Sequence, residues 1–225
     1  MKRNLSILFL LYLSIFCAAQ NKKYPEIINS GYKGKIRSIT IKIYSDSIKD
    51  KSADSLISVK TRYYNEDGNA TKESYQSDKN QQVTEYEFKN GLRTGYSLSR
   101  HGEVRLRAKI IQQKGGYIIN LYDLQNRQVS KDKYKYNELL RIKSNERMIY
   151  DNRNGQLKSH SFVDYYYSEE GFISGYDVKD LLTAQTVTYR FQISHKDDHK
   201  NPDKLILLKN NRPFQSHSID IEYYK

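Results

Sequence analysis

A chain of 225 residues with a formal charge of +12 and a mean hydropathy of −0.84 is long enough for one sizeable domain and too polar for a helical membrane span. Its single cysteine excludes internal disulfides and metal sites built on several thiolates. Net charge bears on association and not on fold, and the basic excess here would favour anionic lipid headgroups, acidic polysaccharide or nucleic acid.

The N-terminus reads as an export signal: Lys2 and Arg3, an apolar run from Leu5 to Phe16, then Cys17-Ala18-Ala19. Cys17 and Ala19 supply the small residues that signal peptidase requires, which places cleavage between Ala19 and Gln20. Lipidation of Cys17 is the alternative, but a lipoprotein signal wants a small residue where Phe16 stands. The mature chain is therefore expected in the periplasm or outside the cell, without a transmembrane segment; lipidation would instead anchor it to the outer membrane. Residues 1–19 are the signal, 20–31 a linker or loose arm around Pro25, and 32–225 a single β-repeat domain.

Strand chemistry begins in Lys35 to Tyr44, where Ile39, Ile41 and Ile43 alternate with Thr40 and Lys42, the pattern of a half-buried strand. Ser45 to Ser55 reads as a polar loop before a strand near Leu56 to Tyr64. From there one device recurs. Asp67-Gly68, Asn90-Gly91, His101-Gly102, Asn154-Gly155 and Glu170-Gly171 place glycine where a tight hairpin needs positive φ, between stretches of high strand propensity. Tyr176 to Val187 reads as a hairpin, because Val187 to Phe191 resumes strand chemistry at once. His195 to Lys204 reads as a polar loop before a strand at Leu205 to Leu208.

The chain has 21 tyrosines and no tryptophan, with adjacent tyrosines at Tyr63-Tyr64, Tyr165-Tyr166-Tyr167 and Tyr223-Tyr224. Neighbouring strand residues face opposite sides, so such pairs put a ring on each face. The expectation is an all-β fold: an antiparallel meander of repeated hairpins forming a twisted, largely single-layer sheet.

The segments Tyr64 to Asn69, Tyr150 to Gly155 and Tyr167 to Gly171 share tyrosine, then aspartate, asparagine or serine, then glycine. This pattern resembles the YD repeat of RHS-type proteins, and the whole layout resembles small secreted proteins of Bacteroidota with divergent repeats of this kind. Gly34 to Thr40 and Ile221 to Tyr224 resemble their first and last strands. The resemblance covers roughly Tyr32 to Lys225 and implies an extended antiparallel sheet with an envelope or extracellular address. Asp46-Ser47-Ile48 and Asp54-Ser55-Leu56 resemble the acceptor motif for O-glycosylation in those bacteria, which marks Ser47 and Ser55.

Chemistry-bearing patterns are sparse. His195 and His199 have the spacing of two zinc ligands on a helix, but no glutamate stands between them and the surroundings read as a loop, so solvated loop histidines are the preferred reading. Asp197, Asp198 and Asp203 lack the order of a calcium loop. No Gly-x-Ser-x-Gly elbow or phosphate-binding glycine loop occurs. Basic aromatic strands such as Leu92 to Lys109 and Lys131 to Lys143 could stack bases or sugars, and export favours sugars over nucleic acid. The sequence thus points to an exported, non-catalytic β-repeat protein of the cell envelope with no cofactor. Its role would be binding or structural, toward a glycan, an anionic envelope component or a protein. An immunity-type partner of a secreted toxin and a hydrolase with motif-free carboxylates are the alternatives.

Overall fold

The computed structural model describes residues 30–45 and 56–225. Cys17, Ala19, Gln20, Ser47 and Ser55 lie outside the described residues. Fourteen strands occur among those described: β1 (Ile36–Ser45), β2 (Leu56–Tyr64), β3 (Ala70–Ser77), β4 (Asn80–Lys89), β5 (Leu92–Arg100), β6 (Glu103–Gln113), β7 (Gly116–Asp123), β8 (Gln128–Tyr136), β9 (Ile142–Tyr150), β10 (Leu157–Tyr167), β11 (Ile173–Asp180), β12 (Thr186–Lys196), β13 (Pro202–Lys209) and β14 (Arg212–Tyr223).

Each strand pairs antiparallel with the next, and β1 also pairs with β14, so the meander closes into a barrel. The all-β antiparallel expectation holds, whereas the open single-layer sheet is corrected. Closure comes from the isoleucine alternation that also announced the first strand. Ile39 stands opposite Ile221 and Ile41 opposite Ile219, so sealing the seam buries apolar side chains and pairs the backbone groups of both edges.

The turns explain the tyrosine-Asx repeat. At Asn65, Asn137, Ser168 and Asp197, each just after its strand, and at Asp123, the last residue of β7, the residue donates its backbone N–H to the carbonyl four residues on. Its own carbonyl accepts from the residue three on. In all five its side chain also accepts from the N–H four residues on, closing a second ring. The fourth loop residue has positive φ in every case: Gly68 (76°), Asn126 (59°), Leu140 (58°), Gly171 (95°) and Lys200 (66°). Glycine is thus optional at a site whose geometry is set by the Asx or serine side chain. The loop expected from His195 to Lys204 shrinks to residues 197–201, and the expected hairpin around Tyr176 to Phe191 is β11 with β12.

Around the barrel the register turns alternate residues inward. One luminal row runs Ile193, Leu205, His217, Ile43 and Ser58; another runs Ile39, Arg62, Glu73, Thr84, Leu98 and Leu106. Buried Ile39, Ala108, Leu207 and Ile219, with Thr84, Ser130, Asp132 and Asn145, all belong to this inward set. The other face of the same registers points outward and carries Lys42, Lys72, Glu85, Arg107, Lys109, Lys131, Asp177, Arg190 and Asp220.

Many tyrosines are luminal, stacked across strands. Tyr117 lies on Tyr134 at 4.6 Å between ring centroids, and Tyr176 on Tyr189 at 4.8 Å. Burial within the barrel raises the hydroxyl pKa of Tyr134 and lifts those of Tyr96 and Tyr176 to about 12. Tyr166 points outward instead, donating to Asp177 (2.8 Å) beneath the Arg190 guanidinium.

Candidate ligand site in the barrel lumen

On the inner wall formed by β1, β2 and β12 to β14 the side chains leave a cavity of about 290 Å³. Ile39, Ile41 and Ile43 line one side because an alternating strand presents every second residue to it. Phe191, Ile193, Leu205 and Ile219 line the other. Its base is closed by Tyr32, Phe172 and Pro202.

That closure is built by the chain before β1. Tyr32 packs edge-on against Phe172 with centroids 5.7 Å apart, and Gly31 lies so close to the 168–172 turn that a Cβ there would meet the Gly171 carbonyl oxygen at 2.5 Å. Fully buried Asn201 fixes the segment from the other side. Its side chain accepts from the Lys33 N–H and donates to the Lys33 carbonyl, both at 2.8 Å, and donates to the Tyr223 hydroxyl at the same distance. Tyr223 in turn donates to Asp197 at 2.5 Å; burial and that bond lift its hydroxyl pKa to about 12.

Three polar groups break the apolar wall. Lys60 and Arg62, two apart on β2, both face inward and both hold Glu73 of β3: Lys60 Nζ lies 3.0 Å from one carboxylate oxygen and Arg62 Nη2 2.6 Å from the other. Burial works to raise the Glu73 pKa, but Arg62 and then Lys60 outweigh it and hold the carboxyl below its usual range. Lys60 and Arg62 thus share Glu73 between them on the luminal face. The third group, His217, sits between Ile43 and Leu205 in register with its Nε2 buried and without a hydrogen-bond partner among the described residues. Burial lowers its pKa, so the ring is neutral near pH 7.

A second cleft of about 430 Å³ lies between the 124–127 and 151–156 turns. It is lined by turn residues, and Asp151 already accepts from the Arg153 N–H, so it offers no group poised for chemistry.

The histidines singled out in the sequence sit at the end of the barrel where Asn201 and Tyr223 hold the segment before β1. His195 Nδ1 bonds Asp203 across β12 and β13 at 2.7 Å, while His199 stacks on Tyr223 with centroids 3.9 Å apart. Among the described residues no three His, Cys, Asp or Glu side chains are grouped to hold a metal ion. Sequence reasoning passed over Lys60, Arg62, Glu73 and His217. Their signal was an inversion of polarity at inward positions, which becomes visible only once the register shows which face of β2 and β14 is luminal.

No family model matches the chain and neither does any curated protein, so the YD-repeat resemblance gains no support from that side. In fold, the chain is similar to a porin-like protein from Bacteroides vulgatus, with a TM-score of 0.55 over 85% of this chain and 99% of that one at 13% identity. A porin-like protein from Bacteroides uniformis matches over 86% of this chain and 100% of that one, at 12% identity and a TM-score of 0.43 too low to carry weight. The first comparison establishes the closed antiparallel barrel as a shared fold.

Proposed function

We propose that this is an exported, non-catalytic barrel of the cell envelope that binds a small amphipathic monoanion in its lumen and does not span a bilayer. The observation that carries the binding reading is the isoleucine-walled cavity with the cationic side chains of Lys60 and Arg62 on its wall and a buried His217 nitrogen that has no hydrogen-bond partner among the described residues. An apolar pocket with a few convergent polar groups is the usual form of a small-molecule site. At roughly 30 Å³ for the liquid-volume share of one water, the cavity holds the volume of about ten waters, a space on the scale of a medium-chain carboxylate.

The non-catalytic reading is supported by the state of the inward acids. Glu73 is held by two cations and Asp132 by Arg147, so neither is free to act as a general acid or base. The non-spanning reading is supported by the outer wall. A membrane barrel needs an outward apolar band about 25 Å tall, and each arginine or lysine facing lipid at mid-depth costs about 2–4 kcal/mol. Strands of 8 to 12 residues are long enough to span, yet their outward sites carry Lys42, Arg107, Lys109, Lys131, Asp177 and Arg190. The polarity is the reverse of a lipid-embedded barrel.

Calorimetric titration with octanoate, octylamine and an uncharged octyl alcohol tests the binding reading. Octanoate is expected to bind the wild type best, and Ile41→Trp, which fills the cavity, is expected to abolish binding while the melting temperature stays near the wild-type value. Ile219→Phe serves the same purpose should tryptophan disturb folding. Equal binding by the filled variants, or preference for the amine, would overturn it.

A further inference from the structure

The outer wall is not uniform. Elsewhere on the barrel several outward cations are matched across strands by carboxylates, Lys42 with Asp220, Arg37 with Glu222 and Arg190 with Asp177, while Lys72, Lys179 and Lys204 stand singly and far apart. On β6, β7 and β8 the unpaired cations gather. Arg107 and Lys109 project from β6, and Lys131, Lys133 and Lys135 from β8. Between them on β7 lie Asn120, level with Lys109 and Lys131, and Tyr122, level with Arg107. Lys133 is held by Glu146 of β9 at 2.9 Å, but Arg107, Lys109, Lys131 and Lys135 have no carboxylate partner among the described residues.

We infer that this face is a docking strip for a linear acidic polysaccharide. Alternate residues on a strand are about 6.6 Å apart and β6 and β8 about 9.6 Å, so the cations form a sparse grid. Such a grid suits a chain with a charge on each sugar or every second sugar better than duplex nucleic acid, whose charges recur about every 1.7 Å along its axis. Carboxylates border the strip on both sides, Glu85 and Glu87 on β4 and Glu146 on β9. They confine the positive field to a lane a few strands wide, which admits a chain lying along it and repels a broad anionic surface such as a bilayer. Asn120 and Tyr122 within the lane supply an amide for hydroxyls and a ring for a sugar face. The strip lies on the wall opposite β1 and is independent of the luminal cavity.

The test uses the full mature chain and polygalacturonate as probe, with neutral dextran, duplex DNA and phosphatidylglycerol vesicles at the same ionic strength. Polygalacturonate is expected to bind at low salt, to weaken as salt rises, and to lose about tenfold in affinity in the double variant Lys109→Gln/Lys131→Gln. Lys42→Gln/Lys204→Gln removes the same charge from the far wall and is expected to change binding less than twofold. Arg107→Gln/Lys135→Gln provides a second pair within the strip. An equal loss from both walls would show that net charge alone is responsible and would overturn the inference. So would tighter binding of DNA or vesicles, or equal binding of dextran.

Discussion

Leu140 gives the sharpest test of the turn geometry. It occupies the fourth position of the 137–141 loop at φ 58°, where the equivalent loops have Gly68 and Gly171. A left-handed conformation costs a branched L-residue about 1–2 kcal/mol, and glycine at the same place returns about 0.5–1 kcal/mol as unfolded-chain entropy. Leu140→Gly should therefore stabilise by about 0.5–1 kcal/mol, and a domain of this size should melt about 2 °C higher. Gly171→Ala reverses the sign. It places a side chain at φ 95° and brings Cβ to 2.2 Å from the Arg141 guanidinium, which must swing away, so the melting temperature should fall by about 3 °C. Leu140→Asn, which tolerates positive φ, should lie between wild type and glycine. Differential scanning calorimetry of the three variants decides the matter. A drop of several degrees for Leu140→Gly would refute the reasoning, because the leucine would then be held by contacts worth more than its strain.

Other predictions concern the lumen and the wall. His217 has a folded-state pKa below its unfolded value of about 6.5, so its contribution to stability is present above that pH and is lost as pH falls toward the folded pKa. Denaturant titrations at pH 7 and pH 5 should show a loss that His217→Gln diminishes; an unchanged pH dependence in the variant would count against it. Glu73→Gln removes the counter-charge of Lys60 and Arg62 and should cost about 1–3 kcal/mol in stability while tightening octanoate binding, whereas weaker binding would contradict the charge accounting. Carbonate washing of native membranes should release the mature protein, and retention in the pellet would contradict a polar outer wall.

Much of the fold was legible because its signals are local. Ile39, Ile41 and Ile43 announce a half-buried strand by alternation, and the Asx-glycine turns announce hairpins by their need for positive φ. Leu140 and Lys200 escaped this reading, since the side chains of Asn137 and Asp197 impose the same turn without glycine. Barrel closure was not legible, because the β1 to β14 pairing joins residues some 180 apart and leaves no mark in either segment. Tyrosine pairs suit an open sheet with a ring on each face. A closed barrel also gives each strand two unlike faces, and it places Tyr165 inward and Tyr166 outward. The candidate site was hidden for the same reason. Lys60 and Arg62 look like solvent-facing residues until the register with Ile41 and Ile39 turns them into the lumen.

The central claim is that a small amphipathic anion enters the lumen along the isoleucine wall. Isoleucine-methyl NMR of the mature protein titrated with octanoate tests it most directly, because Ile41, Ile193 and Ile219 line the cavity while Ile111 and Ile118 pair on the outer face. The account predicts saturable shifts at Ile41, Ile193 and Ile219 with Ile111 and Ile118 unmoved. Shifts confined to Ile111 and Ile118, or none at the luminal three, would contradict it.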